Sequence, residues 1–197
     1  ILIADVPPPR TFKPKTEWAE LDVRDAAATR ELVARERPDV LVHLAFVLNP
    51  IKDEQLMYDI DVNGTHNVLE AASQAGVEHV LVTSSTTAYG AFPDNPVPIT
   101  EDWPVRGVAA FEYARDKTES DRLCQLWALR HPDRTMTIVR PCIVFGPNVD
   151  NYLVRIWANP PFQRDFGGNL DQLIQFVHED DLDDAMVGLL EGRHGGA

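Results

Sequence analysis

Tyr113 and Lys117 stand four residues apart in the stretch Phe-Glu-Tyr-Ala-Arg-Asp-Lys, residues 111–117. On a helix that spacing puts both side chains on one face, one turn apart. A free phenol loses its proton near pH ~10 and is a poor base at neutrality. An ammonium one turn away favours the phenolate, so Lys117 would make Tyr113 a usable acid and base. Upstream, Thr-Ser-Ser-Thr-Thr-Ala-Tyr-Gly (83–90) closes an apolar run with hydroxyls. Among these, Ser85 could hold a reacting hydroxyl or carbonyl oxygen against the phenol. Each feature alone has a plainer reading: Tyr–Lys pairs at this spacing arise by chance, and a hydroxyl-rich strand exit can satisfy its own backbone. Their order on successive elements is what joins them into one constellation.

An alternation of strands and helices must position these residues. Residues 1–4 read as a strand closing at Asp5, followed by a proline-rich loop. A second short strand is expected over 19–23, and Asp25 can cap a helix over 26–36. Residues 39–45 read as a fully buried strand. Leu56, Ile60, Val68, Leu69 and Ala72 have helical spacing, predicting one helix over 53–75 that stops at Gly76. A strand over 79–85, a helix over 111–129 and a strand over 135–141 follow. Beyond a looser region from 146 to 172, a strand over 173–178 and a helix over 179–192 close the series. This pattern predicts a doubly wound α/β domain with a mostly parallel sheet.

The totals narrow the partners. The chain has 197 residues, 44% hydrophobic and 25% charged, with a formal net charge of −13. That charge disfavours nucleic acid or an anionic membrane, which reward clustered Lys and Arg. Two cysteines, Cys124 and Cys142, suggest no disulfide framework and fit a reducing, cytoplasmic setting. No apolar run is long enough to span a bilayer. His43 reads as a core histidine, and the acids after His178 suit a helix N-terminus, so no metal site is expected.

In a doubly wound sheet, ligands bind outside the carboxyl ends of the strands. Asp5 closes a strand there, where an acid can accept hydrogen bonds from an adenosine ribose and repel a 2′-phosphate; a turn aspartate is the plainer alternative. The other strand ends are Asp22-Val23, Leu44-Ala45-Phe46, Thr83-Ser84-Ser85 and Arg140-Pro141-Cys142.

The segments Leu-Asp-Val-Arg-Asp (21–25), Val-His-Leu-Ala-Phe (42–46), Val-Asn-Gly-Thr (62–65), 83–90, Tyr-x-x-x-Lys (113–117), Arg-Pro-Cys-Ile-Val-Phe-Gly-Pro (140–147) and 176–185 appear in this order. As a set they resemble the extended short-chain dehydrogenases/reductases, specifically the NAD-dependent epimerase/dehydratase family that includes UDP-glucose 4-epimerase. The resemblance implies a Rossmann-like NAD-binding domain over 1–147, a partial substrate-lobe segment over 148–172, and a return to the first domain over 173–197. It implies catalysis by Ser85, Tyr113 and Lys117. NAD would be held by Asp5, Asp22, Val23, Leu44, Ala45, Phe46, Thr83, Tyr113, Lys117 and Pro141, and substrate by Ser85, Thr86, Cys142 and Ile143. Homodimerisation through the helices over 53–75 and 111–129 is expected from the family.

The chain also departs from the family pattern. The first strand and its glycine-rich phosphate loop are not found, and we expect truncation at both ends. Ile143 stands where nucleotide-sugar enzymes place a substrate-contacting asparagine, and Asp61 where an asparagine precedes Val-x-Gly-Thr. The leading expectation is an NAD-dependent epimerase or dehydratase acting on a hydroxyl carbon, with a nucleotide sugar as candidate substrate. The rivals are a dehydrogenase or ketone reductase on another substrate, and a non-catalytic dinucleotide sensor.

Overall fold

The structure is a computed structural model that describes residues 1–6, 15–49, 51–151, 155 and 174–197. Most of the proline-rich loop, Trp157 and nearly all of the expected substrate-lobe segment lie outside the described residues. The strands are β1 (Leu2–Asp5), β2 (Glu17–Glu20), β3 (Val40–His43), β4 (His79–Thr83), β5 (Thr135–Val139), β6 (Ile143–Phe145) and β7 (Phe176–His178). The helices are α1 (Ala26–Glu36), α2 (Glu54–Tyr58), α3 (Gly64–Ala75), α4 (Glu112–Arg130) and α5 (Glu179–Glu191).

Local chemistry sets several of these boundaries. The Asp25 carboxylate accepts from the Ala27 and Ala28 N–H groups and so starts α1, satisfying donors that a first turn leaves orphaned. Gly76 ends α3 in the left-handed region, at φ 75°, where a side chain is costly. The helix expected over 53–75 is interrupted. Between α2 and α3 lies a π-helical turn, Asp59–Asn63, which buries both Asp61 and Val62. Such turns widen a helix locally without breaking it.

Among the described residues strand pairing is parallel, in four ladders that make three sheets: β1 with β2, β3–β4–β5, and β6 with β7. The doubly wound α/β class is therefore borne out. The strands expected over 79–85, 135–141 and 173–178 are shorter, and β6 was not expected; two further expectations need fuller correction. The second strand is Glu17–Glu20, not 19–23, because Asp22 turns the chain: its carbonyl accepts from the Asp25 N–H and its carboxylate from the Arg24 N–H. The third is Val40–His43 and is only half covered, with Val40 and Val42 each 40% exposed. Its described ladder partner is β4 alone, so one edge has no ladder among the described residues.

The core joins Val33 of α1, Leu69, Ala71 and Ala72 of α3, Cys124 and Trp127 of α4, and Val80, Val82, Met136 and Ile138 of the central strands. Alternation along each strand selects these residues for one face. The Trp127 indole N–H donates to Ser73 Oγ at 2.7 Å and to the Leu69 carbonyl at 3.1 Å, fixing α4 against α3. That contact orients the helix carrying Tyr113 and Lys117.

Candidate active site

The carboxyl ends of β4 and β5 are tied together first. Ser84 N–H donates to the Val139 carbonyl (2.7 Å), and Thr86 N–H donates to the Pro141 carbonyl (3.0 Å). Ser85 then leaves β4 in extended conformation and caps a short 3-10 turn, Thr86–Tyr89, its hydroxyl accepting from the Thr87 N–H at 3.2 Å. The Ser85 side chain is buried and Thr86 is exposed.

Lys117 reaches this strand end from α4. It is 2% exposed, and its ammonium donates to the Thr83 carbonyl at 2.8 Å. The same nitrogen lies 3.5 Å from the centroid of the Phe46 ring, the range of a cation–π contact. Tyr113 meets Phe46 edge to face at 5.6 Å, and its ring centroid is 5.8 Å from the Lys117 nitrogen. Phe111 adds a tilted ring contact to Tyr113 at 5.9 Å. Tyr113, Lys117, Phe46 and Thr83 thus form one cluster, with Ser85 two residues along the same strand exit. Burial pushes the Lys117 ammonium down to about 8, and the charge of Asp61 is the first of the influences that oppose this fall.

The remaining expected residues lie further out. Asp5 closes β1, exposed, its carboxylate accepting from the Val6 N–H. The Asp22 carboxylate is engaged by the Arg24 side chain at 2.9–3.0 Å, and that hydrogen bond holds it below the usual carboxylate range. Val23 presses on α3: a Cβ on Gly64 would come within 2.6 Å of Val23 Cγ2, so this approach requires glycine. Beside it, Asp22, Arg24, Asp25, Asp59 and Asn63 line a recess of about 450 Å³. Leu44 is exposed and Ala45 half-buried on the β3 exit. Cys142 is a half-buried free thiol, raised by burial, and Ile143 opens β6 opposite Phe176. A second recess of about 460 Å³ is bounded by Trp103, Gln125, Leu129 and Arg140, and touches none of the residues expected to hold NAD or substrate or to act in catalysis.

Three features escaped sequence reading. One is the Phe46 ring as a seat for the ammonium, since the sequence marked only that segment's backbone. Another is Asp61, fully buried, whose carboxylate accepts from the Val47 N–H at 2.8 Å. The third is a buried pair one turn beyond Lys117. The Arg140 guanidinium donates to both Asp121 oxygens at 2.8 and 2.9 Å, and also to the Tyr89 hydroxyl and the Glu101 carbonyl. Spacing held a signal for that pair: Asp121 follows Lys117 by four, on the same helix face.

Similarity to known proteins agrees with this geometry. N-acetyl-α-D-glucosaminyl-diphospho-ditrans,octacis-undecaprenol 4-epimerase of Escherichia coli O157:H7 is 32% identical over 140 residues, 68% of this chain and 40% of that protein. UDP-glucose 4-epimerase 2 of Oryza sativa subsp. japonica is 30% identical over 137 residues, 68% of this chain and 33% of that protein. The chain therefore spans less than half the length of these curated relatives. Among solved structures, the Thermus thermophilus UDP-glucose 4-epimerase complex with NAD shares the fold at TM-score 0.78 and 22% identity, over 96% of this chain and 66% of that one. The Bordetella bronchiseptica enzyme WbmG in complex with NAD gives 0.74 at 25% identity, over 99% and 62%. The NAD-dependent epimerase/dehydratase family model matches residues 4–197, and with parallel strands delivering a tyrosine and a buried lysine to one strand end, the chain belongs to that family.

Proposed function

We propose that this chain carries the proton-transfer half of an NAD-dependent oxidation at a hydroxyl carbon, with Tyr113 as acid and base. The observation that carries this reading is the buried Lys117 ammonium, clamped between the Thr83 carbonyl and the Phe46 ring against which Tyr113 also rests. The ammonium supplies positive potential beside the phenol, which favours transfer of a substrate hydroxyl proton to Tyr113 Oη. Ser85, buried at the same strand exit, would hold the substrate oxygen in line. A bound NAD would supply the hydride acceptor, and in an epimerase also the hydride donor, for the carbon whose hydroxyl Tyr113 deprotonates.

The residues present suit a dinucleotide. Gly64 leaves the space that the Val23 side chain fills, and the residues on either side, Asp22 and Arg24, line the recess with Asn63, which would offer a wall for an adenine. Because Arg24 occupies the Asp22 carboxylate, backbone groups at 22–23 would make that contact. Asp5 would accept from the ribose hydroxyls and disfavour a 2′-phosphate, giving NAD over NADP. No glycine-rich loop occurs in these 197 residues, so none of them is assigned to the pyrophosphate.

For substrate, the relatives named as 4-epimerases of sugars on diphosphate carriers support a nucleotide or lipid-linked sugar. One residue favours a second reading. Ile143 offers no hydrogen bond where a sugar hydroxyl would be gripped, which suits net dehydrogenation of a less polar alcohol. Tyr113→Phe in the intact protein tests the shared chemistry: turnover should fall by about 10²- to 10⁴-fold with NAD binding retained. Undiminished turnover would refute it. Interconversion of sugar epimers without net NADH favours the first reading, and NADH accumulation the second.

A further inference from the structure

The buried charges around Lys117 do not match evenly. On α4, Asp116 is paired with Arg115 at 2.8 Å and Asp121 with Arg140 at 2.8 Å. Glu119 accepts from the Tyr58 hydroxyl at 2.7 Å. On β3, His43 is buried and donates to Thr65 Oγ1 at 3.0 Å, because that hydroxyl's own proton goes to the Asp61 carbonyl. Cys124 is fully buried and held as a thiol. Two groups remain. Among the described residues, Lys117 has no carboxylate within 4.0 Å, and Asp61 has no cation within that distance.

Asp61 is also tied to the site from three directions. Its Oδ1 accepts from the Val47 N–H, next to Phe46. Its carbonyl accepts from Ser120 of α4 at 2.8 Å and from Thr65 of α3. Its Oδ2 is buried and lacks a hydrogen-bond partner among the described residues. An ionised oxygen in that setting is stabilised only by charge at longer range. We propose that Asp61 is the countercharge of Lys117 and a positioning residue for the Phe46 segment, so that the two groups titrate as a coupled pair. The part of this inference that concerns turnover rests on the proposed proton transfer by Tyr113 beside Lys117.

The direction of the shifts agrees. Burial raises the Asp61 carboxyl to about 7, with Lys117 opposing the rise and Asp116 adding to it. Burial narrows the band near neutrality in which both are charged, and the attraction of each for the other's charged form keeps that band open. Above that band the ammonium is lost; below it the carboxylate is.

Carboxyl carbon NMR reads Asp61 without needing turnover. In the intact protein its midpoint should lie well above that of an ordinary aspartate, and Lys117→Met should raise it further, by about one pH unit. An ordinary midpoint, or one unmoved by Lys117→Met, overturns the proposal. Asp61→Asn keeps an acceptor for Val47 but removes the charge, so the alkaline limb of kcat/KM should move down by about one unit. Asp61→Ala should add a rise in KM as the Phe46 segment loosens. A limb unmoved by Asp61→Asn marks the residue as structural only and overturns the coupling. If the NMR coupling holds but no substrate turns over, the proposed function fails while this inference stands.

Discussion

Lys117 and Asp121 share one face of α4, a single turn apart, and both are almost fully buried. They are satisfied in opposite ways. Asp121 receives two guanidinium hydrogen bonds from Arg140 and a third from Gln125. Burial pushes its carboxyl up, but those bonds outweigh it and the net shift is downward. Lys117 has a carbonyl and a ring, and burial wins. A saturated pair is locked in one charge state across the working pH range. An incompletely compensated ammonium sits close to its own titration, and that makes it useful to a neighbouring phenol.

The sharpest way to break this contrast is Arg140→Met. It strands a buried carboxylate and should cost about 3–5 kcal/mol in urea unfolding. Phe46→Leu should cost less, about 1–2 kcal/mol, since it removes one desolvated cation–π contact; a smaller loss would mean that the ring does little for the ammonium. Between pH 8 and 9 the wild type should gain about 1 kcal/mol of stability, a gain that Lys117→Met abolishes. The sign follows from Lys117 titrating at about 8 when folded against 10.5 otherwise, so the unfolded chain binds more protons in that window. The opposing contribution of Asp61 ends near 7, and that of His43, which has the same sign as Lys117's, is complete by about 6.5. The buried thiols Cys124 and Cys142, both raised by burial, oppose the gain as the unfolded chain's thiols ionise, and comparison with Lys117→Met separates the lysine's part. Smallest of all, Lys117→Met itself should change stability near neutral pH by no more than about 1 kcal/mol, because an apolar side chain replaces a poorly compensated charge.

Sequence alone carried the parts governed by local rules. Asp25 caps a helix and Gly76 ends one because capping acts within a few residues, and the strand expected over 79–85 was legible from the apolar run 80–82, though it ends at Thr83. The π-helical turn at Asp59–Asn63 was not legible, since Leu56, Ile60 and Val68 keep helical spacing on both sides of it. Neither was the early end of β2, where Asp22 trades ladder pairing for Arg24. At the site, Tyr113 and Lys117 were visible as a spacing on one helix. The Phe46 ring, the burial of Asp61 and the choice of Arg140 as the partner of Asp121 depend on contacts 14 to 71 residues apart, which no local pattern contains.

The central claim is that Lys117 is a buried, readily titrated ammonium beside Tyr113. Lysine ε-carbon NMR tests it most directly, because the chain has only four lysines: Lys13, Lys15, Lys52 and Lys117. One resonance, absent from Lys117→Met, should titrate near pH 8, well below the ~10.4 of a free lysine. Four lysines titrating together near that ordinary value would contradict the account.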